Sequence, residues 1–374
     1  MKKMKKGLIA IALTFGLLVG NAGNAIVYAD DSVPVKEAIE KAEEKSFDSE
    51  YSVTWSKEND KCWNKITLED RGILEIYATQ PYNNSLKYVR INVEVYKEDG
   101  TIITCSRDEE KKGDFSSYIG LEKGTYYVMM TPEYCSYVYG ETSKYKFSFT
   151  KNENCELESN QDKKNATPMK VDTTYTGYLG GGFSNISEYK DSDDVYAVQL
   201  KKGQVYKFTF EKKEHTEFDT TIIKLFGKNS DMDNTWPSVE AKNFCVSVGD
   251  TFIAPYSGTY YVRIYNYGSE QYKYEVKIST ITLKKVSITS VKAGKNSFTA
   301  KWKKTDCTGY QVQYSTNKNF KNAKTLKVSG SKTSATIKKL SSNKKYYVRI
   351  RAYKEVKDKT AYSSWSKEKS VRVK

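Results

Sequence analysis

Oxygen donors crowd two places in this chain. Glu156, Glu158 and Asn160 alternate in the stretch ELESN, and Asp191, Asp193 and Asp194 fill DSDD, just ahead of a long β-branched and aromatic run. Calcium takes six to eight hard oxygens from carboxylates, amides and carbonyls, so an extended segment laid against an Asp-rich turn would supply its shell. The same residues also read as a solvated acidic linker and an ordinary Asp-Ser turn. A second set of candidates is aromatic: Tyr134, Tyr137 and Tyr139 in TPEYCSYVYG offer rigid, amphipathic contact area for a sugar ring or a peptide, or they extend two strands. A third set is basic. Lys338, Lys339, Lys344 and Lys345 flank a turn near the C-terminus, with Lys284, Lys285, Lys301, Lys303 and Lys304 upstream.

Other chemistries are excluded by what the chain lacks. It holds one histidine, His215, among charged residues between two strand-like segments. Zinc sites with several imidazoles, Ser-His-Asp triads and Cys-His dyads all need an imidazole set beside other reactive groups. Cys62, Cys105, Cys135, Cys155, Cys245 and Cys307 form no Cys-x-x-Cys pair. Six cysteines allow fifteen pairings, which spacing alone leaves open. Cys307 reads as a small buried residue.

Charge is distributed unevenly. Residues 281 to 374 hold 25 lysines and arginines against four acids, a net of +21. With +4 in the first 29 residues, residues 30 to 280 therefore carry −10 of the chain's +15. An acidic body with a strongly basic tail points to an anionic polymer as the tail's partner: wall teichoic acid, a sulfated or sialylated mucin glycan or, least of all, nucleic acid, for which no recognition motif is present. Lysine on exposed strand edges also discourages aggregation, which is the plainer reading.

The chain begins MKKMKKGLIAIALTFGLLVG, lysines before a short apolar run, then small residues at Val27 and Ala29. That pattern predicts a signal peptide over residues 1–29, cleaved after Ala29, and export. No second apolar stretch follows, so the mature chain is expected to have no membrane span and any attachment to a surface is expected to be noncovalent.

After VPVKEAIEKAEEKSF, which favours one helix within residues 30–50, period-two patterns take over. Ile66 and Leu68 precede Gly72, and Leu74, Ile76 and Ala78 alternate after it; Val198 and Leu200 precede Gly203, and Tyr206, Phe208 and Phe210 alternate after it. Each half then reaches INVEVYKEDG or TIIKLFGKNS, a Gly-Thr-Tyr-Tyr-Val strand (124–128 and 258–262) and a closing strand, KYKFSFT or YKYEVKIS. Four blocks in the same order predict a duplicated all-β domain, at residues 51–151 and 152–280.

The shared pattern resembles the bacterial pre-peptidase C-terminal domain, a jelly-roll-like β-sandwich of secreted proteins related to collagen-binding modules. ELESNQDKKNATPM, YTGYL, DSDDVYAVQLKKGQ, FDTTIIKLF and APYSGTYYVRIYNYG carry the resemblance in the second copy; WNKITL, VEVYKEDG and KGTYYV carry it in the first, which lacks the acidic motifs. In collagen-binding relatives a Glu-x-Glu-x-Asn segment and an Asp-x-x-Asp turn hold calcium, and the resemblance thus implies Glu156, Glu158, Asn160, Asp191 and Asp194 as calcium ligands. Residues 284–374 resemble a bacterial fibronectin type III domain through NSFTAKWKK, GYQVQYSTNKNF, TSATIKKLSSNKKYYVRIRAYK and YSSWSKEKSVRVK. There Trp302 takes the place of the core tryptophan, and Leu340 with Tyr346 fits the tyrosine corner.

The expected architecture is therefore all-β, two jelly-roll-like sandwiches followed by a fibronectin type III sandwich. The expected function is a noncatalytic secreted or cell-surface protein that binds an extracellular glycan or protein, with the basic domain as spacer or wall-retention module. Two alternatives stay open: an accessory or catalytic component of a secreted hydrolase using paired carboxylates, and a host-directed adhesin or immunoglobulin-binding factor.

Overall fold

A computed structural model describes residues 26–28, 35–56, 61–83, 87–107, 113–132, 138, 140–180, 193–213, 221–227, 245–266 and 271–374. Nearly all regular structure is β. Alternation of apolar and polar residues drives it: in β4 (Lys61–Leu68) and β5 (Gly72–Thr79) the residues turned inward include Cys62, Asn64, Ile66, Leu68, Leu74, Ile76 and Ala78.

Two sheets form the first sandwich. One holds β1 (Ile26–Tyr28), β2 (Glu43–Glu44), β4, β8 (Ile91–Lys97), β9 (Ile102–Arg107) and β11 (Gly124–Pro132), in the order β1-β4-β11-β8-β9 with β2 beside β4. The other, β10-β5-β12-β3, adds β3 (Glu50–Thr54), β10 (Asp114–Leu121) and β12 (Thr142–Lys151). A small pair, β6 (Tyr82–Asn83) and β7 (Lys87–Tyr88), stands apart. The expected helix is α1 (Val35–Lys41). It packs Ala38 and Ile39 onto Trp63, Tyr96, Tyr127 and Met129, so this segment joins the outer face of the first sandwich. Strand β1 lies antiparallel to β4, and cleavage after Ala29 would remove it from that edge.

The second sandwich repeats the plan. Its sheets are β13-β15-β20-β17-β18, from β13 (Thr167–Met169), β15 (Asp193–Leu200), β17 (Thr221–Gly227), β18 (Cys245–Ser247) and β20 (Gly258–Asn266), and β14-β21-β16-β19, from β14 (Thr174–Leu179), β16 (Val205–Lys212), β19 (Thr251–Ile253) and β21 (Tyr272–Ile281). The run β4-β11-β8-β9 corresponds strand for strand to β15-β20-β17-β18, and β10-β5-β12-β3 to β19-β16-β21-β14. Register agrees as well: Leu68 pairs with Gly124 and Leu200 with Gly258.

The third sandwich packs β22-β23-β26 against β25-β24-β27-β28, with β29 also on β27. These are β22 (Ile288–Gly294), β23 (Ser297–Trp302), β24 (Gly309–Ser315), β25 (Lys324–Ser329), β26 (Ser334–Lys338), β27 (Lys345–Val356), β28 (Lys359–Tyr362) and β29 (Lys369–Arg372). Trp302 is buried against Tyr310, their rings 5.2 Å apart. The Tyr346 hydroxyl accepts the Ser341 N–H at 3.3 Å beside buried Leu340, as a tyrosine corner requires. Cys307 is half-buried at the edge of this core rather than inside it, because it follows the exposed turn residue Asp306. Residues 363–368 of YSSWSKEKSVRVK are not a strand, and their role emerges below. Among the described residues no helix is long and apolar enough to cross a membrane.

Candidate metal centre at the sandwich junction

The segment after β12 is held by both neighbouring sandwiches. On the first, the Asn152 N–H donates to Arg71 O at 3.1 Å and the Glu158 N–H to Gly120 O at 2.9 Å. On the second, the Glu156 N–H donates to Thr176 O at 2.9 Å and the Val195 N–H to Asn160 O at 2.9 Å. The backbones approach closely at Gly120: a Cβ there would lie 2.2 Å from the Glu156 carbonyl oxygen, so any side chain would force the segment to shift. Around this segment Tyr118 stacks on Tyr178 with centroids 4.5 Å apart, and Gln271 gives and takes one hydrogen bond each with the Tyr118 backbone, at 3.0 and 2.9 Å.

Pinned in this way, the segment delivers its acids to the mouth of β15. Carboxylate oxygens of Glu156, Glu158 and Asp194 lie within 4.8 Å of one another. Glu156, Asn160 and Asp194 are buried, and Glu158 is half-buried. Glu156 Oε1 accepts the Tyr178 N–H at 2.6 Å. The Tyr274 hydroxyl is shared between Glu156 Oε2 at 3.0 Å and Asp194 Oδ2 at 2.6 Å, and the Tyr196 hydroxyl lies 2.8 Å from it. Asn160 Nδ2 donates to Thr167 Oγ1 at 3.4 Å.

Two buried acceptors at this spot, Asn160 Oδ1 and Asp194 Oδ1, have no hydrogen-bond donor among the described residues. Burying an acceptor without a donor costs roughly 1–3 kcal/mol, and more for a charged one. The cluster also carries several carboxylates in low dielectric, and Asp194 forms no ion pair among the described residues. Burial raises the Asp194 carboxyl to about 6, against the Tyr274 hydroxyl bond that favours its anion. Burial likewise lifts the Tyr196 and Tyr274 phenols far above their ordinary range, so both remain proton donors. A hard cation would remove both penalties: the donors are all oxygen, from three carboxylates and an amide, with orphaned lone pairs among them. That is a calcium-type set and not a zinc-type one.

Of the five ligands implied by resemblance, the structure brings together Glu156, Glu158, Asn160 and Asp194, while Asp191 lies outside the described residues. Asp193 points the other way and pairs with Arg263. Tyr274 and Tyr196 belong to the centre and are not among the residues singled out from the sequence; the available signal is that Tyr196 follows Asp194 on the same strand face. Tyr134, Tyr137, Tyr139 and His215 lie outside the described residues. Lys338, Lys339, Lys344 and Lys345 are all exposed around the β26–β27 turn.

The fibronectin type III domain family matches residues 284–369. Among solved structures, the fn3 domain of human contactin 1 is similar at 16% identity and a TM-score of 0.21, covering 25% of this chain and 85% of that one. A two-domain fibronectin type III segment of chicken tenascin is similar at 18% identity and a TM-score of 0.23, covering 45% of this chain and 99% of that one. No curated protein matches the chain.

Proposed function

We propose that this chain is an exported, noncatalytic binding protein in which a structural calcium locks the first two sandwiches together, while the basic fibronectin type III domain retains it on an anionic polymer. The observation that carries the reading is the oxygen cluster of Glu156, Glu158, Asn160 and Asp194, with its two donorless buried acceptors, on the segment hydrogen-bonded to both sandwiches. Membership of both sandwiches in the pre-peptidase C-terminal type, proposed from the motifs, agrees with the repeated strand order. The role of the cation is to remove carboxylate repulsion and fix the linker, so that the outward loops of the two sandwiches face a glycan or protein ligand in one arrangement. No reaction is assigned to the acids: Glu156 and Asp194 are buried, and Tyr178 and Tyr274 already bond three of their four carboxylate oxygens.

Isothermal titration of the chelator-treated full chain with calcium, repeated with magnesium, tests this. Saturable calcium binding with one site per chain is expected, lost in Glu156→Gln. Absence of calcium binding, or equal affinity for both cations, contradicts the calcium assignment.

A further inference from the structure

One face of the third sandwich carries an alternation of arginines and aromatic rings. Inward residues of β27 (Tyr346, Val348, Ile350, Ala352) fill the core, so Arg349 and Arg351 project outward. The Arg349 guanidinium lies 4.2 Å from the Phe320 ring centroid and 4.5 Å from that of Trp365; the Arg351 guanidinium lies 4.4 Å from Trp365 and 3.8 Å from Tyr362. One indole thus serves both cations.

The segment YSSWS is what builds this row. Ser363 and Ser366, both buried, replace strand pairing along β27 with side-chain bonds: their Oγ atoms accept the Ala352 and Ile350 N–H groups, each at 3.0 Å. Their own N–H groups donate to Ala352 O and Ile350 O at 2.9 and 2.8 Å. Each serine that docks leaves its neighbour, Tyr362 or Trp365, beside an arginine. Across the sheet, Gln313 Oε1 accepts Arg349 Nε–H at 2.7 Å and Gln311 Oε1 accepts Arg351 Nε–H at 2.9 Å. Both guanidinium planes are therefore held, and among the described residues the Nη donors of each are left for another acceptor.

No carboxylate neutralises them among the described residues. Of the four acids in this domain, Glu355 pairs with Lys327 at 3.4 Å, and no ion pair joins any of them to Arg349 or Arg351. Partial burial lowers the pKa of both guanidiniums; at Arg351 the neighbouring Tyr362 opposes the effect and repulsion from Arg349 adds to it. An oxyanion placed on the row would relieve that repulsion. Fixed guanidinium forks match carboxylate and sulfate, and the 42% exposed Tyr362 adds aromatic surface of the kind that sugar C–H faces stack on.

We propose that the Arg349–Trp365–Arg351–Tyr362 row is a binding site for an acidic glycan, whose carboxylate or sulfate groups take the Nη donors. The proposal rests on the reading of the basic domain as a retention module and places that contact on this row rather than on the exposed lysines.

The test measures binding of the full chain to immobilised polygalacturonate, dextran sulfate and poly(glycerol phosphate) at fixed salt. The first two arms separate carboxylate from sulfate as the recognised group. Arg349→Lys with Arg351→Lys keeps the charge but removes the forks, and is expected to weaken glycan binding about tenfold or more. A fourfold Lys→Gln variant at 338, 339, 344 and 345 is expected to lose less. Unchanged binding by the arginine variant, or a larger loss in the lysine variant, overturns the row as the site but leaves a diffusely electrostatic tail standing. Failure of the native chain to bind any of the three polymers overturns both. Should the double lysine variant not fold, Gln311→Leu with Gln313→Leu releases the guanidiniums without removing them; about threefold weaker binding is expected, and unchanged binding overturns the proposal.

Discussion

The two N-terminal sandwiches share a strand order but solve the same buried position with opposite chemistry. Counting back from Leu68 and Leu200, Cys62 falls where Asp194 does and Asn64 where Tyr196 does. The first sandwich closes this position with its own groups: the Trp55 indole N–H donates to Ser143 Oγ at 2.9 Å, the Tyr145 hydroxyl donates to Asn64 Oδ1 at 3.0 Å, and the Cys62 thiol faces Tyr145 at 3.9 Å. Burial pushes that thiol to about 11, so it stays neutral and inert. The second sandwich puts carboxylates at this place and leaves two acceptors without donors. A fold that closes this position with neutral groups has no need of buried anions for its core alone. The cation proposed at the junction would account for the acids of the second copy.

The comparison can be broken from either side. Trp55→Ala removes a fully buried indole from the self-sufficient copy and is expected to cost about 3–5 kcal/mol while leaving the calcium response intact, as read by melting with and without calcium. Gly120→Ala is expected to act on the other copy through the linker. Its methyl group would displace the Glu156 backbone, costing roughly 1–3 kcal/mol by overpacking and weakening calcium binding from a residue that is not a ligand.

Asp194→Asn sharpens the contrast. It removes a buried charge at little change of shape, so in chelator the variant is expected to melt at or above the native temperature, while its gain from calcium falls away. pH gives a related test. The Asp194 carboxyl is raised by burial to about 6 from an ordinary 3.8, so without metal the folded state holds its proton more tightly than the unfolded state. This contribution to stability is present below the ordinary value and is lost as pH rises through about 6. Melting of the chelated protein is expected to decline over that window and to flatten above it. The smallest effect belongs to Gln271→Ala, which removes two hydrogen bonds to the Tyr118 backbone and is expected to cost about 1–2 kcal/mol.

Much of this was legible in the sequence, for a physical reason. Strand faces alternate, so the order of blocks ending in Gly-Thr-Tyr-Tyr-Val exposed the duplication, and Glu156, Glu158 and Asn160 declared themselves by their spacing. Contacts across the junction were not legible, because the carbonyl of Gly120 and the amide of Gln271 bond to backbone groups and leave no pattern in residue type. Nor were Tyr196 and Tyr274, which a strand core explains equally well until their hydroxyls are seen against two carboxylates. The arginine row was hidden for a similar reason. YSSWS reads as a strand, yet its serines dock by side chain and turn its aromatic residues onto Arg349 and Arg351.

The most direct test of the central claim is the melting temperature of the full chain over a calcium series against excess chelator. A native-state ligand stabilises by mass action, by about 2.7 kcal/mol at a hundredfold excess over its dissociation constant. The expected result is a melting temperature that climbs with calcium in the native protein and stays flat in Asp194→Asn. A native protein that melts at the same temperature in calcium and in chelator, at every concentration, would contradict the account.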